Sequence, residues 1–216
     1  ILFERAVPIF VDVEPATHML NPQKAEEKIK KLRAQGKPVK AILAVDLFGY
    51  LADWSRLRVM AKKYHLALIE DSAEALGSSM VLKGKPYMAG AFGDIGVFAF
   101  SANKQIATGE GGMLVTNNRT FADHARSMKS HGLPPAKPWG AFEELGYNYH
   151  MHEMTCAMGI AQLDRIEELI AKRTRIAATY DERLGSSPLL PIPPRPVREK
   201  LMSRFVYVIR LAARFT

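Results

Sequence analysis

A single cysteine, Cys156, among 216 residues excludes an intramolecular disulfide framework and suits a reducing compartment, so the chain is expected in the cytoplasm. Long apolar runs are missing as well. The longest, such as Ala41–Val45 and Ile95–Phe100, are strand-sized, against the roughly 18 residues a bilayer span needs, and no membrane association is expected. Ile1–Val11 is apolar but carries Glu4 and Arg5 and lacks a small-residue cleavage site, so it does not read as a signal peptide. No His or Cys accompanies the carboxylates at ligand spacing, and no metal site is expected. No Gly-Lys-Ser/Thr stands at the spacing of a Walker A loop. The chain begins at Ile1 inside a strand-like run, without an initiator Met, and reads as a truncated or processed piece.

Against these absences stands an ordinary globular composition, 48% hydrophobic and 24% charged, which excludes disorder and fibrous repeats. The formal net charge is +8, a balance that attracts nucleic acid, membrane surfaces or anionic metabolites. The basic residues are dispersed, however, and the densest clusters, Lys24–Arg33 and Arg195–Arg204, are not interleaved with aromatics as a single-strand platform would be. The charge reads as solvation of exposed helices, and no nucleic-acid partner is expected.

Strand-like runs alternate with helix-like segments. Val7–Val13 is a strand candidate. Asn21-Pro22 opens a helix with Ala25, Ile29 and Leu32 on one face and Gly36 as its stop. Val39–Val45 follows as a buried strand, then a helix capped by Asp53 with Leu57, Met60 and Ala61 inward, then the strand Leu66–Ile69. This order, with continuous apolar strands, argues an α/β fold with a mostly parallel sheet. Ile95–Phe100 and Gly112–Val115 are two more strands around a glycine-rich stretch. Asn118–Ser130 reads as a helix, His152–Leu184 as one long helix, and the proline-rich Ser186–Val197 as a linker. Arg204–Ala212 alternates Phe205, Tyr207, Ile209 and Leu211, which predicts an antiparallel strand.

Ligands collect at the carboxyl ends of parallel strands. Leu66–Ile69 runs into Glu70-Asp71-Ser72-Ala73-Glu74, and a carboxylate there serves a metal, a ribose hydroxyl, a protonated ring nitrogen, or merely the cap of a following helix. Lys104, just past Ile95–Phe100 and before Thr108-Gly109-Glu110-Gly111-Gly112, is the second candidate. A lysine beside glycines is usually a surface residue. Paired with Asp71 at a second strand end, it becomes half of the minimal pyridoxal phosphate (PLP) pair: an amine that condenses with an aldehyde, and a carboxylate for the pyridine nitrogen.

At this point the sequence resembles the DegT/DnrJ/StrS family of PLP-dependent sugar aminotransferases on the aspartate aminotransferase fold. The resemblance rests on Ala6–Glu14, Val45-Asp46-Leu47-Phe48-Gly49 with Ala52-Asp53, Ile69-Glu70-Asp71-Ser72-Ala73-Glu74-Ala75-Leu76-Gly77, Gly93-Asp94-Ile95-Gly96 leading to Lys104 and Thr108–Gly112, His131-Gly132, Gly146-Tyr147-Asn148-Tyr149, Glu153-Met154 and Gly159-Ile160-Ala161-Gln162-Leu163, in the family's order. It implies a catalytic Lys104 that holds the cofactor and shuttles the proton, Asp71 at the pyridine nitrogen, and Glu74 beside the ring on its hydroxyl side. It implies that Asn148 reaches the phosphate of a neighbouring subunit's cofactor, hence a homodimer with shared sites. Its substrates would be a nucleotide-linked keto-sugar and an amino-acid donor such as glutamate, in polysaccharide biosynthesis or a related pathway.

The departures are local. Ala99 stands five residues before the lysine where the family usually has a phosphate-binding Ser; Ser101, two residues on, is expected to replace that hydroxyl if the strand persists. His150 stands where an Arg or Lys often contacts the substrate, and Arg204 replaces a common aromatic. The resemblance divides the chain into an incomplete PLP-binding large domain (residues 1–150), a long connecting helix (151–185), and a linker with the first strand of a small α+β domain (186–216). Two rival expectations accompany it: a catalytically silent remnant of the fold, and a PLP-dependent sugar dehydratase that keeps its lysine.

Overall fold

The structure, a computed structural model, describes residues 1–185, 187 and 200–210. Helix α1 (Pro22–Ala34) starts where Asn21 accepts the Lys24 N–H at 2.9 Å, with proline at its first turn, and it buries Ala25 and Ile29. Strand β1 (Ala41–Val45) buries Ile42 and Ala44. Asp53 caps α2 (Trp54–Tyr64) by accepting the Arg56 N–H at 3.1 Å, and His65 ends it in the left-handed conformation. Strand β2 (Ala67–Asp71) lies parallel to β1, from Ala41 opposite Ala67 to Val45 opposite Asp71. A hairpin follows, β3 (Ser79–Leu82) and β4 (Lys85–Met88). Strand β5 (Ile95–Ala99) then joins β2 in parallel, with Asp71 opposite Val97, and β6 (Gly112–Val115) closes the edge antiparallel to β5. The sheet order is β1-β2-β5-β6, the mostly parallel α/β sheet that the alternating pattern predicts.

The core beneath this sheet joins α2 to the β-strands. Trp54, fully buried, stacks on Phe92 with ring centroids 5.5 Å apart and planes 3° from parallel. Leu57, Met60, Leu68, Ala75 and Met80 pack in the same cluster. Helix α3 (Arg119–Lys129), capped by Asn118, follows β6. No described helix is long and apolar enough to cross a membrane.

Four expectations are corrected. Val7–Val13 is not a strand: its one ladder contact is the isolated bridge of Val13 with Leu20, and Val7 and Phe10 are 78% and 86% exposed. An extended apolar segment becomes a strand only beside a neighbour that takes its backbone groups, and none lies along it among the described residues. The expected single helix His152–Leu184 is two, α4 (Glu153–Leu163) and α5 (Ile166–Leu184). The break falls at Asp164-Arg165, where Arg165 N–H bonds Gln162 O in a tightened turn; the apolar positions resume directly after it, so periodicity passes over the gap. Arg204–Ala212 does not form the alternating strand. Only β7 (Lys200–Leu201) pairs, with β3, and the residues after it give their backbone groups to side chains of other elements; Leu211 and Ala212 lie outside the described residues. Finally, β2 runs to Asp71 and the next element is the β3 strand rather than a helix, so Asp71 caps none. The proline-rich stretch read as a linker lies, Ser187 apart, outside the described residues.

Candidate active site

Parallel β2 and β5 bring their carboxyl ends side by side, and the two segments leaving them carry the candidate residues. Asp71 is the last residue of β2. Its Oδ1 accepts the Ala73 N–H at 3.1 Å, closing a local turn, and Oδ2 meets no donor among the described residues. Beyond β5 the chain folds through residues 100–111 and returns as β6. That loop is pinned by Phe100 N–H to Gly111 O and Thr108 N–H to Phe100 O, both 2.8 Å, and its first turn closes with Lys104 N–H on Ser101 O at 3.0 Å.

Lys104 points inward, its side chain 12% exposed, and its Nζ stands 3.4 Å from Glu74 Oε1. The other oxygen of Glu74 accepts the Phe48 N–H at 2.8 Å. Phe48 holds a left-handed backbone, φ 61°, which costs about 1–3 kcal/mol for a residue with a Cβ. Its N–H to the Glu74 carboxylate is the interaction that accompanies this strain. Lys104 Nζ also lies 4.5 Å from the centre of the Phe205 ring, a cation–π contact. The chain thus brings Lys104 and Glu74 together, with Asp71 at the adjoining strand end.

The remaining candidates sit apart. Ser101 is half-buried and donates to Asn103 Oδ1 at 3.3 Å. Because β5 ends at Ala99, the two-residue alternation that would set Ser101 on the face of Ala99 does not extend to it. Asn148, bridged through its backbone to Ser130, and His150 are both exposed, and among the described residues no hydrogen bond links either to Lys104, Asp71 or Glu74.

Several residues that build the site were not singled out by their pattern. Arg173 of α5 reaches two backbone carbonyls at once, Lys104 O at 3.2 Å and Phe205 O at 3.0 Å. Gln162 of α4 clasps Ala107, accepting its N–H at 3.0 Å and donating to its carbonyl. Gln105, buried, donates to Glu74 O at 2.6 Å and to Ser203 O at 3.5 Å, while its Oε1 has no partner among the described residues. The segment Met202–Phe205 is drawn in against this cluster, with Met202, Ser203 and Phe205 buried. Gly49 admits it: a Cβ there would stand 2.0 Å from Ser203 O, and its φ of +89° already favours glycine. Gln162 and Gly49 lie inside matching blocks, which is the advance signal for them; Arg173 and Gln105 had none.

Behind Asp71 lies a second polar layer. Asp46, Glu70 and Ser72 are completely buried, and Ser72 Oγ stands 2.9 Å from Asp46 Oδ2 and 2.7 Å from Glu70 Oε1. Burial pushes the Asp46 carboxyl well above the usual carboxylate range, and the nearby Glu70 charge pushes it further.

Residues 1–216 match the DegT/DnrJ/EryC1/StrS aminotransferase family along their whole length. The chain belongs to this family. Among curated DegT/DnrJ/EryC1/StrS relatives it is 38% identical over 185 residues to the putative pyridoxal phosphate-dependent aminotransferase EpsN of Bacillus subtilis, covering 86% of this chain and 46% of that protein. It is 38% identical over 186 residues to the GDP-perosamine synthase of Escherichia coli O157:H7, covering 86% and 48%. Among solved structures, a family aminotransferase from Brucella abortus superposes with a TM-score of 0.87 at 30% identity, over 97% of this chain and 54% of the other. Helicobacter pylori PseC, an aminotransferase involved in pseudoaminic acid biosynthesis, does so with a TM-score of 0.87 at 28% identity, over 99% and 55%. The chain spans about half the length of the family members it matches.

Proposed function

We propose that this chain carries the cofactor-binding heart of a PLP-dependent aminotransferase that aminates a nucleotide-linked keto-sugar. The observation that carries the reading is the juxtaposition of an inward-pointing lysine and a carboxylate at 3.4 Å, beside a strand-end aspartate with an open oxygen. The donor set fits the group: one amine to condense with an aldehyde, one free carboxylate oxygen for a ring N–H. When bound, pyridoxal 5'-phosphate supplies that aldehyde and a ring that absorbs carbanion density.

Lys104 Nζ would hold the cofactor and, once released, would take and return the proton moved in each half of the amino transfer, from a largely enclosed position where water competes poorly. Asp71 Oδ2 holds the proton on the pyridine nitrogen. Glu74, anchored by the Phe48 N–H, keeps Lys104 aimed and faces the hydroxyl side of the ring. Ser101 contributes a hydroxyl to the phosphate, Asn148 serves the phosphate in a partner subunit of a homodimer, and His150 meets the substrate. The exposure of Asn148 and His150 favours roles that reach outward from this chain. The domain division at residues 150 and 185 belongs to the same reading.

The substrate class is supported by the names of similar proteins: GDP-perosamine synthases and a transaminase of UDP-4-amino-4,6-dideoxy-N-acetyl-β-L-altrosamine. We take glutamate as the amino donor and the cytoplasm as the compartment. The test is amino transfer from glutamate to GDP-, UDP- and TDP-linked 4-keto-sugars by the intact protein. The reading expects turnover with at least one of them, reduced at least about 100-fold by Lys104→Ala. Turnover that survives Lys104→Ala contradicts it, and so does dehydration without amination.

A further inference from the structure

The strand end that bears Asp71 adjoins a buried cluster of three oxygen-bearing side chains. Ser72 Oγ has one hydrogen, yet it lies within hydrogen-bond distance of two carboxyl oxygens, Asp46 Oδ2 and Glu70 Oε1. All three side chains are completely buried, so no bulk water offers an alternative partner. If both carboxyls were ionised, one short oxygen–oxygen contact would have no hydrogen in it, at the full cost of an unpaired buried charge.

The remaining donors say which carboxyl carries the proton. Glu70 accepts at both oxygens: Oε1 takes the Gly90 N–H, and Oε2 takes the N–H groups of Phe92 at 2.7 Å and Gly93 at 3.2 Å. Asp46 accepts at Oδ1 only, from the Ala52 N–H at 2.8 Å and the Trp54 indole N–H at 2.9 Å. Among the described residues its Oδ2 meets nothing but Ser72 Oγ. The vacant place for a hydrogen is therefore Asp46 Oδ2. The charged group facing Asp46 is Glu70, from β2; the groups that meet it from the 52–54 segment are neutral N–H donors.

We infer that Asp46 is a neutral carboxylic acid in the folded protein, donating from Oδ2 to Ser72 Oγ, which in turn donates to Glu70 Oε1, and that this directed chain positions the Glu70-Asp71-Ser72 strand end. The proton's location stands independently of the cofactor reading; that the strand end aims Asp71 at a pyridine nitrogen rests on it. Asp71 lies between two members of the chain, and β-strand alternation turns its side chain away from them. The chain thus fixes the backbone on one face while the Asp71 carboxylate, held at Oδ1 by the Ala73 N–H, lies on the other.

The carboxamide introduced by Asp46→Asn would keep the pattern of a protonated acid, an oxygen to accept and an N–H to donate to Ser72, with one further N–H that the acid lacks. Asp46→Asn is expected to melt no lower than the native protein at pH 7. It should gain on the native protein as the pH rises above 3.8, the ordinary value of the carboxyl, because the native chain must retain a proton that its unfolded state releases. Glu70→Gln sets an NH2 group against backbone N–H donors and is expected to lower the melting temperature by roughly 5–10 °C. In the native intact protein, infrared difference spectra should contain the C=O stretch of a buried protonated acid that Asp46→Asn removes. Ser72→Ala should weaken pyridoxal 5'-phosphate binding about tenfold, the worth of one buried hydrogen-bond relay. A tolerated Glu70→Gln with a destabilising Asp46→Asn, or a native spectrum without the acid band, overturns the proton's placement. Native cofactor affinity in Ser72→Ala overturns the positioning role. A protein that binds no cofactor at all fails the functional reading instead and leaves the infrared and melting results to decide the proton.

Discussion

Lys104 Nζ and Glu74 Oε1 meet at 3.4 Å across 30 residues of intervening chain. The contact exists because β2 and β5 are parallel neighbours whose ends open on the same side of the sheet, while the β3–β4 hairpin consumes the sequence between them. Glu74 is shared: one oxygen faces the lysine, the other fixes Phe48 in its left-handed turn. The lysine contact and the strained Phe48 backbone are thus joined at one carboxylate.

Glu74→Ala removes the countercharge of a lysine only 12% exposed and leaves the Phe48 N–H unpaired. The expected loss of stability is about 1–3 kcal/mol, with Glu74→Gln recovering part of it because its single carbonyl serves one of the two donors. Urea unfolding of both variants checks the order Glu, Gln, Ala.

On the proposed reading, Asp71→Asn preserves shape but withdraws a negative charge from the pyridine nitrogen. A charge-assisted hydrogen bond contributes about 1.5–3 kcal/mol, so kcat/KM for amino transfer is expected to fall by roughly 10–150-fold with little change in melting temperature. Steady-state kinetics beside a melting curve separates this from unfolding.

Arg173→Ala severs two carbonyl contacts at once, releasing the Lys104 turn from Phe205. The melting temperature is expected to drop by about 4–8 °C, and Arg173→Lys, which cannot reach both carbonyls in a fixed fork, recovers less than half. Differential scanning calorimetry of the three proteins measures it.

Tyr207 donates to Asp181 Oδ1 at 2.8 Å, and burial, together with that hydrogen bond and charge, pushes its hydroxyl up to about 12. A raised acid retains its proton in the fold while the unfolded chain ionises near the ordinary value of 10.0. The stabilisation is complete below pH 10 and is lost as the pH rises through about 12. Tyr207→Phe is expected to be less stable by about 1 kcal/mol at pH 7, with the gap to the native protein narrowing at alkaline pH. Stability profiles from neutral pH up to about 12 follow it.

The sheet was legible because its strands are short apolar runs between caps: Asn21 and Asp53 open their helices as their side-chain chemistry dictates, and β6 falls at Gly112–Val115 as the apolar run predicts. The failures share a cause. Whether Val7–Val13 or Arg204–Ala212 forms a strand depends on a partner, and pattern alone carries no record of one. The candidates Lys104, Asp71 and Glu74 stood out by position relative to strands, whereas Arg173 and Gln105 act through carbonyl contacts that any helix or loop residue could make. Strand alternation predicts Ser101 on the face of Ala99, but the strand stops at Ala99, where the backbone enters the turn closed by Lys104 N–H on Ser101 O. The burial of Glu70, a charged residue at an inward strand position, contradicts the apolar pattern of β2; the N–H groups of the 90–93 turn and the Ser72 hydroxyl explain it.

The most direct test of the account is borohydride reduction of the intact protein loaded with pyridoxal 5'-phosphate, followed by peptide mapping. The account predicts a single pyridoxyl group on the peptide bearing Lys104, absent from Lys104→Ala. A protein that takes up the cofactor yet bears its label on another lysine, or on none, contradicts it.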